Sequence, residues 1–207
     1  MKTDSGAIQR YTVAERITHW VIAIVFVYLA LTGLAFFTPH LFWLSQVLGG
    51  PVTSRVWHPI LGIVYVLFLL RMYLNWRRDM KIDAGDKEWM KGMGKYIRNE
   101  DEGLPEAGRF NGGQKQLFWL QVIAGAALLI SGIPLWFPES FGQVVRLIAI
   151  LLHEISALSV IGGIIVHIYM GAAVVRGSVH AMISGSVSRA WARSHHPRWY
   201  REIIGRK

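Results

Sequence analysis

Apolar residues along this chain collect into four long stretches, with polar residues confined to the segments between them. The stretches run from about Ile17 to Thr38, Ser54 to Asn75, Gln116 to Phe137 and Leu147 to Val175. Each holds a window of about twenty residues with little or no charge, the length a helix needs to cross the hydrocarbon core of a bilayer. The pattern predicts an all-α, four-transmembrane-helix bundle in a single domain over residues 1–207, with a loop at 76–115 and a tail at 176–207. Arg71 falls near a span boundary, where a long basic side chain snorkels to the interface. No basic n-region, short apolar h-region and small-residue cleavage site precedes residue 17, so the first stretch reads as a retained span.

Charge then orients the four spans. One side of the membrane receives residues 1–16, the loop from Arg71 to Lys115 and the tail from Arg176, which carry 3, 10 and 7 Lys or Arg. The other side receives Arg55 and Arg146. The positive-inside rule places both termini and the long loop in the cytoplasm, as expected of a multi-pass protein of a bacterial inner membrane. The formal net charge is +9. Its basic residues flank spans and sit beside tryptophans, which points to membrane lipid as the partner of the tail and not to nucleic acid.

Composition changes the picture at one point: there is no cysteine. Iron–sulfur clusters, disulfides and covalently attached c-type haem all need thiols. A redox role for this chain would therefore use b-type haem.

Four histidines lie within the apolar stretches. His153 and His167 are fourteen residues apart in the last one, nearly four helical turns, so both leave the same helix face about 21 Å apart along the axis. His19 opens the first span from the cytoplasmic side and His58 opens the second from outside. Depth matches them in pairs: His58 with His153 for an outer haem and His19 with His167 for an inner haem, each iron taking two imidazoles from facing helices. Gly33, Gly62, Gly162 and Gly163 lie at levels where a small residue lets a flat macrocycle approach the backbone, although small residues also serve ordinary helix packing. The inner and outer pairs are too far apart to share a zinc ion. His40, His180, His195 and His196 fall in a loop, on an opposing face or in the basic tail, where solvated or interfacial roles are expected. A structural anchor or transporter would instead use the four histidines as helix-to-helix hydrogen-bond partners. A transporter should also show broken helices near mid-membrane, whereas Pro59, Pro134 and Pro138 fall at span ends.

Several runs carry a family resemblance: Glu15-Arg16-Ile17-Thr18-His19-Trp20, Arg55-Val56-Trp57-His58-Pro59, Arg109-Phe110-Asn111-Gly112-Gly113-Gln114-Lys115, Val166-His167-Ile168-Tyr169, and the tail from Ala190 to Glu202 with its Ser194-His195-His196-Pro197-Arg198-Trp199-Tyr200 core. In this order and at these depths they closely resemble the gamma (cytochrome b) subunit of respiratory formate dehydrogenase, over nearly the whole chain. The resemblance implies a membrane cytochrome with two b haems held by His19, His58, His153 and His167. It implies electrons arriving from an iron–sulfur (beta) subunit and leaving to a quinone, menaquinone or ubiquinone, near the cytoplasmic side. Formate would be oxidised on a molybdenum or tungsten catalytic (alpha) subunit, and the heterotrimer would assemble into a higher-order oligomer. The cytochrome b subunit of a related hydrogenase or thiosulfate-type reductase complex is the alternative in the same class.

The same resemblance marks Asn111, Gly113 and Gln114, with the inner ligand His167 beside them, as the quinone headgroup site. Asn and Gln amides donate to carbonyls, and glycine permits close approach. The same residues also read as a turn and N-cap opening the third span, and both roles can hold together. Arg55 and Arg146 either pair with outer haem propionates or recruit acidic groups of the partner. The loop from Trp76 to Gly108 reads as a solvated connector or as a cover over the quinone entrance.

Overall fold

The computed structural model describes residues 6–98 and 103–205. Lys2, Arg206 and Lys207, counted above among the basic flanks, lie outside the described residues. In chain order the elements are β1 (Ala7–Gln9), α1 (Val13–Phe37), α2 (Trp43–Val47), α3 (Pro51–Trp76), α4 (Ala84–Lys91), α5 (Met93–Ile97), α6 (Gly112–Trp136), α7 (Gln143–Tyr169), α8 (Ser178–Ser184), β2 (Ser186–Ser188), α9 (Arg189–His195) and α10 (Pro197–Ile204). Among the described residues four helices are long and apolar enough to cross a membrane: α1, α3, α6 and α7, the last continued by a π turn at Met170–Val174.

Each of these helices begins three or four residues before its apolar stretch, because a helix starts where its orphan N–H groups find acceptors and not where hydropathy rises. At α1, the Thr12 hydroxyl accepts from the Glu15 N–H at 3.2 Å while the Glu15 carboxylate accepts from the Thr12 N–H at 2.8 Å, a reciprocal capping box. Extending α3 back to Pro51 corrects the position expected for Pro59, which lies inside that helix, as Pro134 lies inside α6. Pro134 is close to the end of its helix, whereas Pro59 is the ninth residue of α3 and leaves a carbonyl one turn back without its usual donor.

The chain divides into two units. One contains Ile17–Leu74 and Leu120–Ile164, the greater part of the four long helices. Ile22 of α1 and Tyr65 and Leu69 of α3 form a buried cluster that Val122 of α6 joins. The Tyr65 hydroxyl donates to the Gln121 amide oxygen, so the phenol is buried with its polar tip satisfied. Leu69 packs directly on the backbone of Gly125. In a bilayer, where lipid tails are as apolar as leucine, such close packing and interhelical hydrogen bonds hold helices together. Outward residues such as Ile24, Leu67, Ile130 and Ile155 are exposed and apolar, as a lipid-facing surface requires.

The other unit comprises the described parts of Met1–Arg16, Asn75–Trp119 and Ile165–Lys207. The loop expected as a solvated connector is folded here: Asp83 caps α4 by a reciprocal box with Asp86, and Trp89 and Tyr96 are buried against Val174 and Val175. The tail is folded as well. Strand β2 pairs antiparallel with β1, Ile8 opposite Val187, a two-stranded element that hydropathy did not anticipate. Gly185 precedes it at φ +86°, with an ideal Cβ only 2.8 Å from the Tyr11 carbonyl, so glycine is required on both counts.

His196 corrects another expectation. It is 2% exposed, not interfacial. Its Nδ1 is 2.7 Å from the Gly108 carbonyl and therefore carries the proton, which leaves Nε2 to accept from the Arg10 guanidinium at 2.9 Å. Burial first, and then the adjacent Arg10 charge, push this imidazole well below the usual histidine range. Arg10 is itself 4% exposed, with its guanidinium about 5 Å from the ring centres of Tyr11, Trp191 and Trp199. Arg109 ties the same unit together through Glu15 and Asp79, each at 2.7 Å.

Candidate functional site

His58 of α3 and His153 of α7 come together as the sequence spacing predicts. Their ring centroids are 6.4 Å apart with 51° between the planes. An iron held at about 2 Å by one nitrogen of each imidazole separates the ring centres by roughly 6 Å. The separation of the two rings is the one that a metal ion held between them would need.

The second nitrogen of each ring is engaged. His58 Nδ1 lies 2.7 Å from the Thr32 hydroxyl of α1, and that hydroxyl donates to the Tyr28 carbonyl at 2.8 Å. His153 Nδ1 lies 3.0 Å from the Ser131 hydroxyl of α6, which donates to the Ala127 carbonyl at 2.6 Å. A hydroxyl has one proton, and in both cases it goes to a carbonyl. With the hydroxyl proton on the carbonyl, each imidazole donates from Nδ1, the tautomer whose Nε2 lone pair is available to a metal.

Glycines flank these groups. An ideal Cβ on Gly33 would be 3.5 Å from His58 Cε1, and one on Gly132 would be 3.6 Å from His153 Cε1. At Gly62 and Gly162 an added Cβ meets nothing within 4 Å. Of the residues beside the ring pair, sequence reasoning found Gly33 but missed Thr32, Ser131 and Gly132. The signal was present as a hydroxyl-glycine dipeptide, Thr32-Gly33 and Ser131-Gly132, in the first and third spans.

The other two histidines fall in different units. His19 follows the buried Thr18, whose hydroxyl accepts from Arg71 Nε at 3.1 Å, so Arg71 is anchored to α1 and does not simply reach for the interface. His167 is exposed near the end of α7, just before the hydrogen-bond ladder widens into the π turn, where the Val175 N–H bonds to the Met170 carbonyl at 2.8 Å. His40 and His180 are exposed, as expected.

Asn111, Gly113 and Gln114 lie together at the start of α6. The Asn111 side-chain oxygen accepts from the Gln114 N–H at 2.9 Å, and the Gln114 side-chain oxygen accepts from the Asn111 N–H at 3.0 Å. Both amide oxygens serve as a helix cap, so the turn and N-cap role expected of this run is present. Asn111 Nδ2 reaches the Tyr96 hydroxyl at 3.4 Å. An added Cβ on Gly113 would come within 3.2 Å of the Trp89 ring, and one on Gly112 within 2.9 Å of the Asp86 carbonyl. Behind them Lys115 and Asp86 form a buried ion pair at 2.6 Å, with Lys115 also donating to the Lys81 carbonyl.

Comparison with known proteins agrees with this geometry. The chain matches the family described as prokaryotic cytochrome b561 over residues 10–185. It is 40% identical to the cytochrome b556(fdo) subunit of formate dehydrogenase from Escherichia coli (strain K12), over 95% of this chain and 93% of that protein. Against the formate dehydrogenase cytochrome b556 subunit of Haemophilus influenzae the identity is 40%, over 98% of this chain and 86% of the relative. The nitrate-inducible cytochrome b556(Fdn) subunit of Escherichia coli formate dehydrogenase is 36% identical, over 97% and 94%. Four membrane-length helices, an opposed imidazole pair and these relatives agree: the chain belongs to the prokaryotic cytochrome b561 family, alongside the cytochrome b556 subunits of formate dehydrogenase, and is a membrane b-type cytochrome that serves electron transfer.

Proposed function

We propose that this chain carries electrons from an iron–sulfur partner on the outer face of a bacterial inner membrane to a quinone on the cytoplasmic side, as the membrane subunit of a respiratory formate dehydrogenase. The observation that carries the reading is the opposed His58 and His153 pair, with each Nδ1 committed to a hydroxyl and each Nε2 lone pair left for iron. When bound, two b haems supply one-electron centres at two depths.

His58 and His153 hold the outer haem in this reading. His19 and His167 hold the inner one, a pairing that rests on sequence depth alone. Both termini and the segment 76–115 face the cytoplasm, supported by twenty of the 22 Lys and Arg residues lying on that side of the spans. The chain has no cysteine, so iron–sulfur clusters and the molybdenum or tungsten centre that oxidises formate belong to partner subunits.

Quinone reduction takes two electrons and two protons per headgroup, and the protons come from the cytoplasm. Asn111, Gly113, Gln114 and His167 form the headgroup site. With the Gln114 side-chain oxygen committed to the helix cap, its amide N–H groups remain as donors to a quinone carbonyl. The pairing of Gly113 with the Trp89 ring, and of Trp89 with Val174 and Val175 beyond His167, brings this start of α6 and the end of α7 into one packed region. Menaquinone and ubiquinone both present the required carbonyl pair.

In the intact complex, formate should reduce the b-type absorption bands and an added quinone should reoxidise them. Bands that formate leaves oxidised but hydrogen or a sulfur oxyanion shifts would move the chain to a hydrogenase or thiosulfate-type reductase.

A further inference from the structure

Two hydroxyl groups stand behind the outer imidazole pair in the same arrangement. Thr32 and Ser131 lie on different helices, α1 and α6, and serve histidines on the other two, α3 and α7. Each hydroxyl spends its proton on a backbone carbonyl one turn back in its own helix and presents its lone pairs to Nδ1. Each is followed by a glycine, Gly33 or Gly132, on which an ideal Cβ would lie 3.5 or 3.6 Å from the Cε1 of the same histidine. Thr32 and Ser131 are fully buried, at 0% and 2% exposure.

We propose that Thr32 and Ser131 are positioning residues that set the reduction potential of the outer haem, holding its two ligands as Nδ1–H donors and fixing their rotation. This rests on the assignment of His58 and His153 as ligands. The physical basis is the acceptor at Nδ1. A hydrogen bond from the far nitrogen makes an imidazole a more basic ligand, which stabilises ferric over ferrous iron and lowers the potential. An acceptor hydroxyl that is itself donating to a carbonyl is polarised further in the same direction. Removing it raises the potential of the outer centre, the one that first receives electrons in the proposed function. The Thr32 contact with Nδ1 is the shorter of the two, 2.7 Å against 3.0 Å, so Thr32 is the sharper probe.

The test is a spectroelectrochemical titration of the purified complex carrying Thr32→Val, Thr32→Ser or Ser131→Ala, with haem counted in each. Thr32→Val is near in shape and lacks the acceptor; Thr32→Ser restores it. The expected result is a full haem count and one b component shifted upward in Thr32→Val by about tenfold in its ferrous-to-ferric ratio at a fixed electrode setting. For one electron that is about 59 mV. Thr32→Ser should return to the wild-type potential and Ser131→Ala should move the same component by less. Loss of one haem in Thr32→Val with retention in Thr32→Ser would support the same role, because only the hydroxyl distinguishes them. Full haem with no shift in either Thr32→Val or Ser131→Ala would overturn it, as would loss of haem in both Thr32 variants, which assigns the position to packing. Failure of the ligand assignment is read separately, from His58→Ala retaining every haem.

Discussion

The His58 ring centroid lies 6.4 Å from that of His153, and Nδ1 of each ring is hydrogen-bonded to a hydroxyl on a neighbouring helix. Two half-buried imidazoles in an apolar bundle without such partners would be costly. Here Nδ1 of each ring is satisfied inside the protein, and the two rings stand at the separation that a metal held between them would need.

The glycines beside the pair define how much space the rings have. Gly33→Ala should be tolerated, since a Cβ there makes only ordinary contact with His58. Gly33→Leu should displace the His58 ring and reduce occupancy of one haem by about half or more, given that overpacking a closed site costs about 1–3 kcal/mol. Pyridine haemochrome assay of the two variants checks this; full occupancy in Gly33→Leu would show that α1 does not confine the ring.

At the start of α6 one side chain has two separable jobs. Gln114→Glu keeps the oxygen that caps the helix and removes the amide donor. The expected outcome is unchanged thermal stability and haem reduction by formate, with reoxidation by quinone slowed at least about tenfold, the scale of one lost hydrogen bond to a substrate carbonyl. Stopped-flow spectroscopy separates the two half-reactions. Reoxidation at the wild-type rate would remove Gln114 from the headgroup site.

Lys115 and Asp86 are 4% and 7% exposed in their side chains and pair at 2.6 Å. Lys115→Met leaves a buried carboxylate without its cation, a change expected to cost about 3–5 kcal/mol. Adding Asp86→Asn should recover a large part of the loss. Thermal unfolding of the complex in detergent reads both variants, and a Lys115→Met protein as stable as wild type would contradict the burial of the pair.

Acid should loosen the folded tail. His196 is neutral in the fold, with its titration pushed below the unfolded value of about 6.5 by burial and by Arg10. Its contribution to stability is therefore complete above about pH 6.5 and is lost as pH falls through that value toward the depressed one. Protection of the Arg193, Arg198 and Arg201 bonds from protease should fall with pH in the wild type and stay flat in His196→Gln, where a neutral amide replaces the ring. Parallel curves for the two proteins would assign the pH dependence to other groups.

The spans and the ligand candidates were legible in the sequence because both depend on local signals, a run of apolar residues and a histidine placed within it. Missed features depend on distance along the chain. Thr32 and His58 are 26 residues apart and Ser131 and His153 are 22 apart, and no helical period links them. His196 reads as a tail residue until the chain returns Gly108 and Arg10 to it, 88 and 186 positions away. The segment 76–115 looked solvated because its charges dominate its composition, yet Trp89, Tyr96 and Asp86 turn inward. Glu15, Arg109 and His196 all lie in runs that carry the family resemblance, and all three build the unit that contains the start of α6. Much of the family signature is thus architecture around the site.

The most direct measurement is the haem content per polypeptide of the wild-type complex and of His58→Ala and His153→Ala, by reduced-minus-oxidised absorption spectra and pyridine haemochrome. Two b haems per chain in the wild type and one, the same one, in each variant is the expected result. A variant that keeps both haems, or a wild-type chain that binds none, would contradict the assignment of this imidazole pair as the outer haem ligands.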